Sequence, residues 1–389
     1  MKRSVKQIGF MLVGGIWALF LVVLLWQYQQ HPTNNMVMED MTKGQRIKAT
    51  NSRTSSLPSS PPSWPTCQRN TSMANTGNMT AFSSLPARIQ DFIYYRHCRH
   101  FPLLLDVPDK CGGAERSKDV FLLLVIKSSP ENYERREVLR KTWGEERLET
   151  GKQIRRMFLV GTAGSGFERQ RLNRMLKLEQ HGHRDIVQWD FHDSFFNLTL
   201  KQVLFLEWMD RNCPHVHFLL NGDDDIFANT DNMVEYLLGT MDSKEDSRKH
   251  LFAGHLIAGV GPIRTQASKY YIPVQVQESE RYPPYYGGGG FLLSGYTAMI
   301  IYGMSKSITL LPIDDVYMGM CLEKAGLKPE SHMGVRTAGL HVPSRSLDPF
   351  HPCFYRETLL VHRFMPAQIY VMWHEAHDPN VKCGLDFSF

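Results

Sequence analysis

The sequence predicts an α/β domain with a largely parallel central sheet, preceded by a membrane-spanning helix and a stem. Apolar strand-like runs alternate with amphipathic helix-like runs between residues 119 and 221, which is the pattern of successive βαβ units. Near the N-terminus, Ile8–Trp26 has no charged residue and is long enough to cross a bilayer as a helix. Between these regions, a segment dominated by Ser, Thr, Pro and Asn offers few residues for a core.

The N-terminal segment predicts the orientation in the membrane. Lys2, Arg3 and Lys6 precede the apolar run, and positive residues on the short side place that end in the cytosol. A cleaved signal peptide is the alternative, but its apolar core is usually only ~7–15 residues long and no small-x-small cleavage site follows here. We therefore predict a cytosolic tail at 1–7, a transmembrane signal anchor at 8–28, a stem at 29–90 and a lumenal domain at 91–389.

Other sequence features agree with a lumenal domain. Asn70, Asn78 and Asn197 begin N-glycosylation sequons, which matter because the predicted topology exposes them to the lumen. An oxidising lumen favours disulfides, and seven cysteines leave at least one thiol free or paired between chains. The formal net charge is only +5 and no Lys/Arg tract occurs, so we predict no nucleic-acid partner.

Four apolar runs predict buried parallel strands, and three amphipathic runs predict helices between them. The strands are predicted at 119–126, 154–161, 185–191 and 216–221, and the helices at 131–144, 167–182 and 194–212. Beyond residue 225 the pattern is more mixed, with strand candidates at 251–258 and 269–276. Ligands of such sheets bind outside the carboxyl ends of the strands, so residues that follow the apolar runs are the first candidates for a site.

Three consecutive aspartates, Asp223, Asp224 and Asp225, directly follow the fourth predicted strand. Adjacent carboxylates repel one another, and carboxylates at a strand end suit a hard divalent cation such as Mg²⁺ or Mn²⁺. Such ions complete their coordination with water and substrate phosphates, so the triad predicts a site for a metal and a phosphate. The alternative is an acidic loop that caps the helix predicted to begin near Asn229.

A glycine run and a second acidic pair are further candidates for this site. Gly287–Gly290 allow the backbone to approach a ligand closely, and Tyr285 and Tyr286 before them offer rings for stacking on a sugar. Asp314 and Asp315 lie at the start of a predicted helix, where Asp314 is expected to serve as the N-cap.

Arg136 and Arg140 lie four residues apart on one face of the first predicted helix. Two guanidinium groups at this spacing are suited to a diphosphate. The sequence supports equally well the alternative that both arginines lie on a solvated helix face and bind no ligand.

Six stretches resemble, in the same order, the motifs of the β-1,3-glycosyltransferases of glycosyltransferase family 31, from about Cys98 to the C-terminus. They are VIKSSPENYERREVLRKTWG, FFNLTLKQVLFLEW, NGDDDIFANTDNM, RYPPYYGGGGFLLSG, PIDDVYMGMCLEKAGLKP and LLVHRF. Within the family, YRHCRHFPLLLDVP and GGGGFLLSG are most similar to the β-1,3-N-acetylglucosaminyltransferases, in particular to those that extend core 1 O-glycans. The galactosyltransferase members share most of these motifs, so the identity of the donor sugar is inferred from overall sequence similarity alone.

The resemblance implies a GT-A-type, Rossmann-like nucleotide-sugar transferase domain with UDP-GlcNAc as donor and Mn²⁺ as cofactor. The family's metal ligands fall on Asp225 and His362, and its catalytic base falls on Asp315. The family's contacts with the ribose and its neighbouring groups fall on Asp223 and Asp224. The other implied binding residues, in the nucleotide-binding segment and the glycine run, are Lys127, Arg136, Arg140, Gly288 and Gly289.

The implied activity is inverting transfer of N-acetylglucosamine in β-1,3 linkage to galactose of core 1 O-glycans or N-acetyllactosamine. The implied setting is the Golgi membrane, with a single-pass type II topology and a lumenal catalytic domain. The alternatives are a β-1,3-galactosyltransferase that uses UDP-Gal, and an inactive membrane-anchored glycan-binding protein. Intact Asp225, Asp315 and His362 argue against the inactive protein. The acceptor, the disulfide pairing and the oligomeric state, including a homodimer, stay open.

Overall fold

The computed structural model describes residues 67–71, 82–241, 249–340 and 348–384. The predicted anchor at 8–28 and most of the predicted stem lie outside these residues. Within the described residues, no helix is both long and apolar enough to cross a membrane. All of them belong to one unit of the chain, Pro62–Phe389.

Strands and α-helices alternate through the first half of the described residues. The strands are β1 (Leu103–Leu105), β2 (Val120–Lys127), β3 (Leu148–Glu149), β4 (Lys152–Thr162), β5 (Ile186–His192), β6 (Phe218–Asp223), β7 (Ile226–Ala228), β8 (Phe252–Gly254), β9 (Leu256–Ile257), β10 (Tyr285–Tyr286), β11 (Gly290–Ser294), β12 (Glu330–Ser331), β13 (Val335–Arg336) and β14 (Leu360–His362). The α-helices are α1 (Ala87–Tyr95), α2 (Tyr133–Arg140), α3 (Gly166–His183), α4 (Leu198–Asn212), α5 (Thr230–Gly239), α6 (Gly295–Ser305), α7 (Asp314–Lys324), α8 (Cys353–Arg356) and α9 (Pro366–Ala376).

The central sheet has the strand order β1-β5-β4-β2-β6-β11-β8-β12, with β3 paired to β4. The neighbours β5, β4, β2 and β6 are parallel, and α2, α3 and α4 connect them, so the predicted βαβ units are confirmed. All eight residues of β2 are buried, which explains the unbroken apolar run of this central strand. β11 joins β6 in antiparallel register and brings the glycine run to the carboxyl end of β6.

Alternate residues of β2 pack into two apolar cores on opposite faces of the sheet. Leu123 and Val125 belong to one core, and Leu122 and Leu124 belong to the other. The helices that cover both faces leave only the strand ends accessible. A ligand site of this sheet is thus confined to the ends of its strands.

A second sheet, with the order β13-β14-β7, lies at the end of β6 in the chain. β7 follows β6 after a two-residue turn, and β14 pairs with β7 so that His362 lies opposite Ile226. This pairing carries a histidine from near the C-terminus to the aspartates that separate β6 from β7.

The elements predicted beyond residue 225 need correction. The strand candidate at 251–258 is present as two short strands, β8 and β9. The candidate at 269–276 is wrong, because the chain turns there and the Pro273 carbonyl accepts hydrogen bonds from the backbone N–H groups of Val276 and Gln277. Proline has no N–H to donate to a neighbouring strand, and this signal outweighs the apolar pattern.

The first predicted helix, 131–144, is also shorter than expected. α2 ends at Arg140, and the chain then turns so that the Gly144 N–H donates to the Leu139 carbonyl at 3.0 Å. A Cβ at Gly144 would lie 2.7 Å from that carbonyl oxygen, so a glycine is required at this close approach.

The seven cysteines form three disulfides and leave one thiol. The pairs are Cys67–Cys98, Cys111–Cys213 and Cys353–Cys383, and Cys321 is the remaining cysteine. Cys321 is buried, and burial raises the pKa of its thiol to about 12. The unpaired cysteine is therefore a protonated core residue rather than a thiol exposed for pairing between chains.

The packed domain extends to the N-terminal side of the predicted boundary at residue 91. α1 begins at Ala87, and its Ile89 is buried against Tyr271 and neighbouring residues. The Cys67–Cys98 disulfide also ties a residue of the predicted stem to the domain.

Candidate active site

The acidic site lies where β2 and β6 end. These strands pair in parallel register, so Lys127 at the end of β2 lies beside Asp223 at the end of β6. Asp224 and Asp225 form the turn before β7. The Asp223 N–H donates to the Gly289 carbonyl at 2.8 Å, which holds the glycine run over the same edge. The carboxyl ends of the parallel strands therefore bring these candidates together, as the sequence predicts.

His362 lies beside Asp223 and Asp225, because β14 pairs with β7. Its Nε2 is 3.1 Å from Asp225 Oδ1 and 4.0 Å from Asp223 Oδ2. One ligand atom from each of the three residues lies within 4.8 Å of the others. All three side chains are half-buried, and two carboxylates with one imidazole suit Mn²⁺. These three ligand residues thus fit the expected metal, and Asp223 joins the two predicted ligands, Asp225 and His362.

The charges of this cluster stabilise one another. Burial alone would lower the pKa of His362, but its hydrogen bond to Asp225 and the carboxylate charges raise that pKa above its ordinary value. Burial alone would raise the pKa of Asp225, but His362 lowers it. The Thr337 backbone also raises the pKa of His362. A metal requires neutral imidazole, so metal affinity should weaken as the pH falls.

In the structure, the aspartates do not cap the helix that follows them. α5 begins at Thr230, and Asn229 is its N-cap residue. The Asn229 Oδ1 accepts a hydrogen bond from the Asn232 N–H at 3.2 Å. Because Asn229 fills this role, the Asp223–Asp225 triad is left for another function.

Asp224 lies away from the metal-ligand cluster and anchors the loop after β2. Its Oδ2 accepts hydrogen bonds from Ser128 Oγ at 2.7 Å and Asn132 Nδ2 at 2.9 Å, and Arg135 Nε lies 3.8 Å from its Oδ1. Burial raises the pKa of Asp224 despite these partners. The structure therefore does not support its expected contact with the ribose. The sequence motifs did not identify Ser128, Asn132 and Arg135 as residues of this site. Their position just after a parallel strand could have indicated it.

Lys127 joins the triad to the second acidic pair. Its Nζ lies 2.6 Å from Asp314 Oδ2 and 3.1 Å from Asp223 Oδ1. Burial alone would lower the pKa of Lys127, but the two carboxylates raise it, so the ammonium is charged. The expectation that Asp314 caps α7 is wrong: Ile313 is the N-cap residue and no side chain caps this helix. The Asp314 carboxylate instead pairs with a buried cation, which needs a counter-charge.

Asp315 has the properties of a general base. Its Oδ1 accepts a hydrogen bond from the Val316 N–H at 2.8 Å, and its Oδ2 would lie 3.5 Å from a Cβ at Gly288. Burial, followed by the charge of Asp314, raises the pKa of Asp315 to about 7. Among the described residues no cation forms a salt bridge with Asp315. A carboxylate with this pKa can accept a proton near neutral pH.

The glycine run fits between His362 and Asp315 because it lacks side chains. Gly289 has a φ of +118°, and a Cβ there would lie 2.6 Å from His362 Cγ. A Cβ at Gly287 would lie 2.3 Å from Thr337 Oγ1. Gly288 is the exposed member of the run. The backbone at Gly288 is thus open to a ligand, whereas Gly289 is buried against His362.

The two tyrosines before the glycine run have different environments. Tyr286 is buried, and its hydroxyl donates to the Phe252 carbonyl and accepts from the Glu330 N–H. The expectation that Tyr286 stacks on a sugar is therefore wrong. Tyr285 is half-buried beside Asp315, and burial together with the Asp315 charge raises the pKa of Tyr285 to about 12. Only Tyr285 keeps the predicted stacking role.

Arg136 and Arg140 lie on the buried face of α2, and their guanidinium groups pair with other groups of the protein. Arg136 donates to Glu179 through two nitrogens and to Ser128 Oγ at 3.0 Å. Arg140 donates to both oxygens of Asp185 and to Glu179. The structure therefore does not support the expected contact of either arginine with a diphosphate. Their charges stabilise the packing of α2 on the sheet.

Comparison with known proteins identifies the family. Residues 134–333 match the family model described as Galactosyltransferase. The chain is 55% identical over 331 residues to human N-acetyllactosaminide beta-1,3-N-acetylglucosaminyltransferase 3, covering 82% of this chain and 86% of the relative. It is 49% identical over 321 residues to human acetylgalactosaminyl-O-glycosyl-glycoprotein beta-1,3-N-acetylglucosaminyltransferase, covering 82% and 81%. It is 42% identical over 339 residues to rat UDP-GlcNAc:betaGal beta-1,3-N-acetylglucosaminyltransferase 7, covering 86% and 83%.

The chain therefore belongs to the galactosyltransferase family of glycosyltransferases, which confirms the resemblance seen in its motifs. The matched region contains the triad, the glycine run and the Asp314–Asp315 pair. His362 lies beyond residue 333, on a strand that only the three-dimensional pairing brings to the triad.

We predict that Gly289→Ala disrupts this site. The substitution adds a Cβ 2.6 Å from His362 Cγ at a positive φ, so we expect a loss of about 1 kcal/mol or more in the free energy of unfolding and loss of Mn²⁺-dependent UDP binding. Chemical denaturation and calorimetric titration measure the two effects. Gly303→Ala is the control, because nothing lies within 4 Å of its Cβ in α6. Unchanged stability and unchanged UDP binding in Gly289→Ala would contradict the described geometry.

Proposed function

We propose that the chain is an inverting β-1,3-N-acetylglucosaminyltransferase that transfers N-acetylglucosamine from UDP-GlcNAc to galactose of O-glycan or N-acetyllactosamine acceptors. One observation carries this proposal: a ligand set for a divalent cation and a carboxylate with a pKa of about 7 share one edge of the sheet. The names of the relatives, which refer to N-acetyllactosaminide, acetylgalactosaminyl O-glycosyl-glycoprotein and betaGal, support the acceptor class.

The donor side of the site is formed by Asp223, Asp225 and His362, which would hold Mn²⁺. When bound, the cation supplies Lewis-acid stabilisation of the charge that develops on the UDP leaving group. These three side chains would fix the position of the nucleotide diphosphate, and the exposed backbone at Gly288 would give it room. A Rossmann-like sheet with its acidic turn at a strand end supports assignment to the GT-A type.

The acceptor side of the site is formed by Asp315 and Tyr285. Asp315 accepts the proton of the acceptor 3-hydroxyl while that oxygen bonds to the anomeric carbon and the bond from that carbon to UDP breaks. Attack from the face opposite UDP inverts the anomeric configuration. General-base assistance of this kind contributes about 10²–10⁴ in rate. The half-buried ring of Tyr285 beside the base is suited to stack on the acceptor sugar.

The proposal includes a single-pass type II topology in the Golgi membrane with a lumenal catalytic domain. The support is the charge-free run Ile8–Trp26 behind Lys2, Arg3 and Lys6. The three disulfides also agree with folding in an oxidising compartment.

A β-1,3-galactosyltransferase that uses UDP-Gal is the second candidate. The observation that favours it is the description of the matching family model, Galactosyltransferase. The relatives named above favour N-acetylglucosamine as the transferred sugar.

A donor screen tests the proposal. Full-length protein in detergent is supplied with Mn²⁺, a galactose-terminated acceptor and either UDP-GlcNAc or UDP-Gal, and the product linkage is assigned by NMR. We expect β-1,3-linked N-acetylglucosamine, no transfer after chelation, and recovery when Mn²⁺ is returned. Preference for UDP-Gal would establish the second candidate, and no transfer from either donor would overturn the enzymatic function.

We predict that Asp315→Asn lowers kcat by about 10²-fold or more, because the amide cannot accept the proton. Binding of UDP-GlcNAc should be nearly unchanged, since Asp315 faces the acceptor. In the unsubstituted enzyme Asp315 must be ionised, so kcat should fall as the pH decreases through about 7. Asp231→Asn is the control, because Asp231 is also a half-buried aspartate in the first turn of a helix, α5. Turnover of Asp315→Asn close to that of Asp231→Asn would remove Asp315 from the reaction.

A further inference from the structure

We propose that Lys127 is a positioning residue that ties the base-bearing helix α7 to the metal-binding turn after β6. This inference rests on the proposed function, because it assigns Lys127 to the geometry of the same reaction. Lys127 lies at the end of β2, between the two acidic segments, and contacts a carboxylate of each. It contacts the proposed metal ligand Asp223, but among the described hydrogen bonds and salt bridges it does not contact Asp315, Asp225 or His362.

The contacts of Lys127 are short and shielded from solvent. Only 8% of its side chain is exposed, and its Nζ lies 2.6 Å from Asp314 Oδ2 and 3.1 Å from Asp223 Oδ1. In the described residues, Asp314 has no second salt-bridge partner. A buried ammonium that satisfies two carboxylates stabilises both of their side-chain conformations.

Asp314 adjoins a residue of the reaction, and Asp223 is itself one of the three proposed metal ligands. Asp314 directly precedes Asp315, and Asp223 lies two residues before Asp225. The N-terminus of α7 has no side-chain cap, so the Lys127–Asp314 pair is the described side-chain contact that joins this helix end to β2. Lys127 therefore sets the position of Asp315 relative to the proposed metal site.

Loss of Lys127 would leave the shielded Asp314 carboxylate without its described cation, and would leave the half-buried Asp223 with His362 at 4.0 Å. Repulsion between Asp314 and Asp223 would then move α7 and the base, because an unpaired buried charge is strongly unfavourable. The contact between Asp225 and His362 does not involve Lys127. Loss of the Asp314 contact alone should therefore lower turnover and change nucleotide binding only weakly, whereas loss of Lys127 also removes the cation beside the proposed metal ligand Asp223.

The test is a double-mutant cycle with Lys127→Met and Asp314→Asn in full-length protein. Each single variant should lose on the order of tenfold to a hundredfold in kcat, and the double variant should lose no more than the worse single variant, since both remove one contact. The dissociation constant for UDP with Mn²⁺ should stay within about threefold of the unsubstituted value in Asp314→Asn, which leaves the Lys127–Asp223 contact in place. Lys110→Met is the control, because Lys110 is equally shielded and pairs with Glu146 at 2.9 Å, outside the proposed reaction site.

A pH profile separates positioning from a purely structural role. The charged groups that act on Asp315 are Asp314, Lys127 and Asp223, and the neutral but titratable phenols that face it are Tyr282 and Tyr285. The positive charge of Lys127 favours ionised Asp315, so Lys127→Met should move the acid limb of kcat to higher pH, while Lys110→Met should leave it in place.

The outcomes distinguish this inference from the proposed function. Losses that multiply in the double variant, or full turnover in Lys127→Met, would overturn the positioning role. If Lys127→Met does not fold, Asp314→Asn decides, because full turnover in that variant would contradict the role of the contact. Absence of transfer in the unsubstituted protein would instead overturn the proposed function.

Discussion

Repulsion among five aspartates at one edge of the sheet is the constraint on which the site depends. Asp223–Asp225 and the Asp314–Asp315 pair bring these carboxylates to the ends of β2 and β6. Separate partners relieve most of the repulsion: Lys127 between the two segments, His362 beside the turn, and hydrogen-bond donors after β2. Asp315 alone of the five has neither a cation nor a side-chain donor among its described contacts, and its raised pKa follows from that position.

The fold supplies these partners from distant parts of the chain. Parallel pairing places Lys127 beside Asp223, and the small second sheet places His362 beside Asp225. The antiparallel strand β11 then brings the glycine run against both. Each contact joins residues far apart in sequence, so the site forms only when the two sheets are assembled. This dependence explains why the acidic turn is compatible with a stable fold.

The sequence predicts the parts of this structure that depend on local pattern. β2 and β6 are almost entirely buried, so their apolar runs are continuous and end where the site begins. Roles that depend on a distant partner could not be predicted in this way. Arg136 is bound to Glu179, 43 residues away, and Asp314 to Lys127, 187 residues away. Local pattern left a diphosphate contact and a solvated helix face as equal alternatives for Arg136, and it favoured a helix cap for Asp314.

We propose that Asp225 and His362 bind the cation that serves the nucleotide. Pulsed electron paramagnetic resonance of Mn²⁺ bound to the full-length protein with UDP measures this directly, because a coordinated imidazole nitrogen couples to the electron spin. We expect a nitrogen coupling in the unsubstituted protein that is absent in His362→Gln, with weaker Mn²⁺ binding in Asp225→Asn. A nitrogen coupling that persists in His362→Gln, or bound Mn²⁺ without any such coupling in the unsubstituted protein, would contradict this assignment.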